Sequence, residues 1–365
     1  MSRRLTYDRY LFGAAMLIIV VGLAMIYSAS AMIAMQKSGI DNPYFYLGRQ
    51  SLWLLVSAGV MLALMHVDLN RLRMPVLVHV LVAGVVALLI VALFQPAING
   101  THRWIVISRF HFQPSELAKP IIILFLASQL AQKEERIDDL PSTLLPIGSV
   151  LATICGLVLL GPDFGTALTI LAVSLILLFV AGVSWKRIAV FSIALVPACI
   201  ALLLSADYRR DRLLSFLNPE ADPLGKGFQA MQSLIAIGTG GMTGLGIGNG
   251  RQKLFFLPEP HTDFIFSIIG EELGFTGAMI LLLAFAFLLW RGFRLAWLAR
   301  DRFAFYAALG FTLMIGLQML INVSVALCLL PTKGIPLPLV SYGGSSLMAS
   351  MIAIGLLLNI SQQSD

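Results

Sequence analysis

Charge is scarce in this chain of 365 residues. Asp, Glu, Lys and Arg make up 12% of it, about half of the roughly 25% usual in a soluble globular domain, which excludes one core enclosed by a solvated charged surface. Cysteine is scarcer still. Cys155, Cys199 and Cys328 each fall inside an apolar run and share no paired spacing, so neither a disulfide framework nor a thiolate metal site is indicated. The histidines form no HxxxH or HExxH pattern, which removes the usual sequence signals for zinc. A bound metal is expected only as a hard cation such as Mg²⁺ or Mn²⁺ on carboxylates. The first apolar run is too long for the core of a cleavable leader and reads as a retained helix.

What fills the chain instead is apolar. Hydrophobic residues make up 58% of it, with a mean hydropathy of +0.89, and about ten stretches approach the roughly 20 residues that a membrane-spanning helix needs. They run over 10–34, 50–66, 76–95, 116–132, 141–160, 166–183, 188–205, 263–290, 303–329 and 345–361. The expected fold is an all-α polytopic membrane protein, a single membrane domain over 1–365. A large extracytoplasmic loop, 206–262, separates its seventh and eighth spans.

Orientation follows from the basic residues near span ends. With the amino terminus inside, the cytoplasmic segments hold Arg3, Arg4, Arg9, Arg71, Arg73, Lys133, Arg136, Lys186, Arg187, Arg291, Arg294, Arg300 and Arg302. The short external segments hold fewer: Lys37, Arg49, Arg103, Arg109, Lys119 and Lys333. Arg209, Arg210, Arg212, Lys226, Arg251 and Lys253 lie in the long loop, which escapes the charge rule. An even number of spans returns the carboxyl terminus to the cytoplasm.

The long loop carries an apolar stretch of helical type, FQAMQSLIAI, with Gln229 and Gln232, followed by GTGGMTGLGIGNG. Glycine allows positive φ and close backbone approach, and successive N–H groups can form an anion nest. The run matches neither a P-loop nor a strand-to-helix GxGxxG, so a flexible lid, a tight re-entrant bend and a phosphate nest all remain open. The other external segments are also polar: NGTHRWIVISRFHFQPSELAKP brings Arg103, Arg109, Gln113, Ser115, Glu116 and Lys119, GPDFGTA brings Asp163, and LPTKGIPLPLVSYGGSSL brings Lys333, Ser341, Ser345 and Ser346. Ser115 and Glu116 can cap a helix and Lys333 can snorkel. Their joint clustering suits an anionic pyrophosphate whose lipid tail stays in the bilayer.

The stretch LPEPHTDFIFSIIGEELG places acids at the head of an apolar span. Thr262 or Asp263 is a satisfactory N-cap for it. Glu271 and Glu272 lie eight and nine residues beyond Asp263, about 12 to 14 Å along a helix. An unpaired charge at that depth costs about 3 kcal/mol or more, so such acids mark a functional site or an ion pair, with Lys119 or an Arg as partner. At about 100° per residue only Glu271 shares a face with Asp263.

The strings QPSELAK, GPDFGTA, FQAMQSLIAIG, FLPEPHTDFIFSIIGEELG and PTKGIPLPLVSYGGSS resemble, in order and over essentially the whole chain, the signature segments of the SEDS family (shape, elongation, division and sporulation). IIGEELG and LPTKG are more similar to its division branch than to its elongation branch. The resemblance implies a peptidoglycan glycosyltransferase that polymerises lipid II on the outer face of the cytoplasmic (inner) membrane, at the division septum. It implies that Asp263, the acid of the HTDF motif, is the catalytic residue, within a substrate site that includes Glu259, His261, Thr262 and Glu271. As general base Asp263 would take the proton of the acceptor hydroxyl in a single inverting displacement. Arg103, Arg109 and Lys119, with Lys333 and Arg212 behind them, would stabilise the departing undecaprenyl pyrophosphate. Implied partners are a class B penicillin-binding transpeptidase and other divisome membrane proteins; nucleic acid is not among them. No cofactor is firmly implied. A lipid flippase and a scaffold for the transpeptidase are the rival readings, the first because intramembrane acids and broken helices also mark transport pathways.

Overall fold

A computed structural model describes residues 7–37, 42–98, 100–107, 110–189, 228–254, 256–331 and 334–364. Of the expected site residues, Arg109, Arg212 and Lys333 lie outside the described residues, as do nearly all of the seventh span and the following loop up to residue 227. The longer helices among the described residues are α1 (Arg9–Lys37), α2 (Phe45–Met65), α3 (Pro75–Leu93), α4 (Pro114–Gln132), α5 (Leu145–Leu160), α6 (Phe164–Val180), α7 (Phe228–Gly240), α8 (Ile265–Leu298), α9 (Arg302–Ala326) and α10 (Gly344–Ser364). Among the described residues seven helices are long and apolar enough to cross a membrane: α1, α2, α3, α5 with the turn before it, α8, α9 and α10. The shorter α6 is apolar as well. The chain is a multi-pass membrane protein. Apart from the seventh, every expected span coincides with one of these helices or with α4.

α4 is the hub. It packs on α3, α6, α9 and α10 and is buried along nearly its whole length, Glu116 and Lys119 included. A helix enclosed on all sides by other helices needs no lipid-facing stripe, and α4 duly carries the polar groups that a lipid-facing helix could not. The lipid-facing surface belongs to others: Leu55, Val76, Val80 and Leu283 are more than half exposed.

Apolar burial drives helix association weakly in lipid, so small residues and interhelical hydrogen bonds must do it. An added Cβ at Gly355 of α10 would lie 2.8 Å from the Met61 carbonyl oxygen of α2. Close by, the Asn359 amide donates to the carbonyls of Leu64 and Val67, both at 2.6 Å. Gly22 of α1 is pressed in the same way against the backbone of Val340.

Two expectations need correction. The N-cap of α8 is Phe264, not Thr262 or Asp263. The helix also outruns the expected 263–290, ending at Leu298, so Arg291 and Arg294 are helical. It is broken at Gly274, whose φ of 66° and ψ of −170° are not helical. A small antiparallel hairpin, β1 (Ile105–Ile107) with β2 (Phe110–Phe112), pairs Val106 with His111 and closes the segment before α4; the sequence reading left no strand there.

One face of the bundle gathers the start of α1 and the last turns of α10. Asp8 caps α1 through the amides of Tyr10 and Leu11, takes Arg291 at 2.6 Å, and donates its own N–H to Ser361. Arg302 meets Glu134 at 2.7 Å and Arg187 meets Asp138 at 2.9 Å at connectors that the basic-residue pattern also assigns to this face.

Candidate active site

At the opposite face the chain before α8 is tied down carbonyl by carbonyl. Tyr342 N–H donates to the His261 carbonyl at 2.9 Å, Ser341 Oγ to that of Thr262 at 2.6 Å, and Asn322 Nδ2 to that of Asp263 at 2.9 Å. The same Asn322 amide reaches the Ile335 carbonyl at 2.8 Å, and Leu337 N–H donates to Ser341 Oγ. The turn thus rests on α9 and on the segment 334–342. Thr262 closes it from within through its N–H and hydroxyl on the Glu259 carbonyl, both at 3.2 Å, with Glu259 in a left-handed conformation (φ 51°). Asp263 is half-buried. A Cβ added at Gly334 would sit 3.2 Å from its Oδ2, so a side chain there would press on the carboxylate.

His261 is buried among aromatic rings, 4.6 Å from Tyr46 and 5.4 Å from Tyr342, with Nε2 3.9 Å from the exposed Glu259 carboxylate. Burial pushes the Tyr342 hydroxyl up from its ordinary value, so it stays protonated. Gln50 of α2 braces the same segment, accepting from Gly343 N–H and donating to the Ser341 carbonyl.

A second cluster centres on Asp163, the N-cap of α6. Its carboxylate accepts from Gln113 Nε2 and Ser115 Oγ, each at 2.7 Å, and from Thr166 N–H, with Arg103 at 3.9 Å. Gln113 N–H in turn donates to Ser345 Oγ. Gln113 is itself the N-cap position of α4, with Pro114 at its first turn. Ser115 and Glu116 therefore do not cap that helix. Gln113, Ser115 and Ser345 are engaged in joining α4, α6 and α10.

The expected cationic pocket is smaller than the sequence suggests. Lys119 is 2% exposed and bonded to Glu116 at 2.7 Å inside the bundle, so it is closed off from the rim and neutralises its own neighbour, as a buried charge must. Arg103 remains at the mouth, its guanidinium 5.6 Å over the Trp104 ring. The His111 ring, on β2, is lowered from its ordinary pKa by partial burial and by Arg49, which disfavours its cationic form. Among the described residues no three His, Cys, Asp or Glu side chains come together. A Mg²⁺ or Mn²⁺ here would draw most of its oxygens from a bound phosphate and from water.

Glu271 and Glu272 are not at the rim. Glu271 accepts from the N–H groups of Arg251 and Gln252 at 2.7 and 3.1 Å. Glu272 accepts from Ser28 Oγ at 2.6 Å, Lys253 Nζ at 2.6 Å and Gly248 N–H at 3.1 Å. The backbone nest considered for a phosphate is filled by the chain's own carboxylates, and Glu271 is removed from the substrate site by two amides. Gln229 and Gln232 are half-buried on α7, whose buried Ala230, Ser233 and Ala236 pack that helix against its neighbours. Ser233 Oγ lies 2.6 Å from both Ser267 Oγ and the Ala326 carbonyl. Asn322, Tyr46, Tyr342, Ser28 and Lys253 were not singled out from the sequence: each lies far along the chain from what it touches, and residue type alone names no partner.

These features define a class: a polytopic membrane protein with an acid, Asp263, braced at the mouth of the bundle by irregular backbone. Residues 8–365 match the FtsW/RodA/SpoVE family of cell cycle proteins, and the chain belongs to that family. It is 38% identical to a probable peptidoglycan glycosyltransferase FtsW of Geobacter metallireducens, over 97% of this chain and 94% of that one. It is also 38% identical to stage V sporulation protein E of Bacillus subtilis, over 100% and 99%. Among solved structures it resembles a chain of a peptidoglycan synthase complex described as coordinating polymerization and crosslinking, with TM-score 0.79 and 33% identity over 98% of each chain. The rod shape determining protein RodA of Thermus thermophilus follows with TM-score 0.72 and 30% identity, over 99% of this chain and 98% of that one.

Proposed function

We propose that this protein is a peptidoglycan glycosyltransferase that polymerises lipid II in septal wall synthesis, with Asp263 as its general base. The observation that carries the reading is full-length similarity to proteins named for that activity, together with a half-buried carboxylate on a turn fixed by hydrogen bonds to three successive carbonyls. A base must be held within about 0.5 Å of its working position, and this bracing supports such precision. The carboxylate would take the proton of an acceptor sugar hydroxyl as that oxygen attacks the anomeric carbon and undecaprenyl pyrophosphate departs. A positioned base contributes about 10² to 10⁴ fold. Arg103 at the mouth, with Arg109, Lys333 and Arg212 joining it, would balance the charge of the leaving pyrophosphate.

The likeness to a chain from a complex that couples polymerization to crosslinking supports a class B transpeptidase as partner, within a divisome assembly. In this reading the Asp263 face is extracytoplasmic and the face that gathers Asp8, Arg291 and Ser361 is cytoplasmic, with both termini.

The test is polymerisation of labelled lipid II by the reconstituted protein with its transpeptidase. Asp263→Asn, at wild-type folding and partner binding, is expected to bind lipid II and make no glycan strands. Undiminished polymer would remove Asp263 as the base and favour a scaffold or a flippase.

A further inference from the structure

The break in α8 is spliced rather than left open. In an unbroken helix the N–H groups of Phe275 and Thr276 would bond the carbonyls of Glu271 and Glu272. Here the loop after α7 inserts between them. Phe275 N–H donates to the Gly241 carbonyl at 2.9 Å and Thr276 N–H to that of Met242 at 3.1 Å. Leu245 N–H donates to the Glu271 carbonyl at 3.1 Å and Gly246 N–H to that of Glu272 at 2.9 Å. All four backbone groups freed by the break are re-satisfied, which non-helical backbone enclosed in a membrane protein requires.

Glycine makes the insertion possible. A Cβ at Gly244 (φ 80°) would lie 2.2 Å from the Glu272 carbonyl oxygen, and one at Gly274 would lie 2.3 Å from Gly244 N.

The outer half-helix, 265–273, is too short to be stable alone, and Asp263 stands at its head, about 14 Å from Glu272 at 1.5 Å per residue. Its far end is anchored to the bundle through a side chain. Glu272 is wholly buried and ties together α1 through Ser28, the glycine loop through Gly248 N–H, and Lys253, which also donates to Ser28 at 2.9 Å. An ion pair this deep contributes little net stability against well-packed apolar residues, but its bonds fix direction.

We propose that Glu272 is a positioning residue for Asp263: with Lys253 and Ser28 it locks the spliced end of the half-helix and so fixes the height and angle at which the carboxylate meets the acceptor hydroxyl. The inference rests on Asp263 being the base.

The test compares wild type, Glu272→Gln, the double variant Lys253→Met/Glu272→Met and Asp263→Asn in nanodiscs. Its readouts are lipid II kinetics and hydrogen exchange of the amides of residues 264–270. In Glu272→Gln, kcat is expected to fall about 10- to 100-fold with KM within about twofold, the signature of a misplaced group rather than lost binding, and those amides to exchange faster. Asp263→Asn is expected to lose turnover with exchange as in wild type. Should Glu272→Gln fail to fold because Lys253 is left buried and unpaired, the double variant decides: wild-type thermal stability with kcat still low supports positioning. Full recovery of kcat in the double variant would overturn the proposal, as would wild-type exchange in Glu272→Gln. If the wild-type protein makes no polymer, the glycosyltransferase reading falls and the lock is judged by exchange alone, where unchanged rates overturn it.

Discussion

At the face that gathers Asp8 and Ser361, two of the ion pairs join side chains open to solvent, Arg302 with Glu134 at 60% and 48% exposure and Arg187 with Asp138 at 40% and 44%, while Asp8 with Arg291 is largely buried. At the opposite face the ties run to backbone carbonyls, and deeper in the bundle beneath it Lys253 with Glu272 is 5% and 0% exposed. The first arrangement can be altered one pair at a time, since exposed pairs contribute about 0 to 1 kcal/mol each. In the second, each side chain satisfies groups shut away from water, so removing one strands its partners. In the proposed reading, catalysis is placed on the rigid, costly rim and the adaptable rim faces the cytoplasm.

The strongest test of that contrast sets two aspartates against each other. Asp263→Asn is expected to lower lipid II polymerisation by about 10² to 10⁴ fold and to leave the melting temperature in nanodiscs within a degree or two. Asp8→Asn, which removes the charge that grips Arg291, is expected to do the reverse, with unchanged turnover and a stability loss of about 1 to 2 kcal/mol. Equal effects of the two on turnover would erase the distinction between rims.

Glycines sharpen the comparison next. Gly244→Ala must clash with backbone and holds a left-handed φ, so a loss of about 3 kcal/mol or more is expected, read as failure to survive detergent extraction. Gly13→Ala in α1 meets nothing within 4 Å and should be neutral or stabilising by up to about 1 kcal/mol. A tolerated Gly244→Ala would show that the spliced loop is not held as tightly as its hydrogen bonds imply.

Hydropathy made the helices legible because lipid imposes a length and an apolar composition on each span. Asp263 was legible as an acid at a span mouth, and the motif strings suggested the role proposed for it. What could not be read was the fate of each polar group. Lys119 looked like a rim cation because its partner three residues earlier, Glu116, was read as part of the same pocket; burial of the pair turns both inward. The glycine run looked equally suited to a phosphate or to a bend, and only the positions of Glu271 and Glu272 against it decide. Splicing pairs residues about 30 apart through backbone groups, which leave no trace in residue type beyond the glycines themselves.

The smallest expected effect lies at the adaptable rim. The Asp138 carboxyl is held below its ordinary value first by the Ser184 backbone N–H and then by Arg187. Because the folded state favours the charged form, its contribution is present above the unfolded pKa, near the usual carboxylate range, and is lost as pH falls through the lower folded value. Wild type should therefore melt slightly above Asp138→Asn at neutral pH, and the gap should close on acidification below about pH 4. Salt should narrow the same gap, since the pair with Arg187 is open to solvent. A gap that persists undiminished at low pH would mean that the substitution removes shape rather than charge, and that this rim too depends on directional bonds in the way the Asp263 face does.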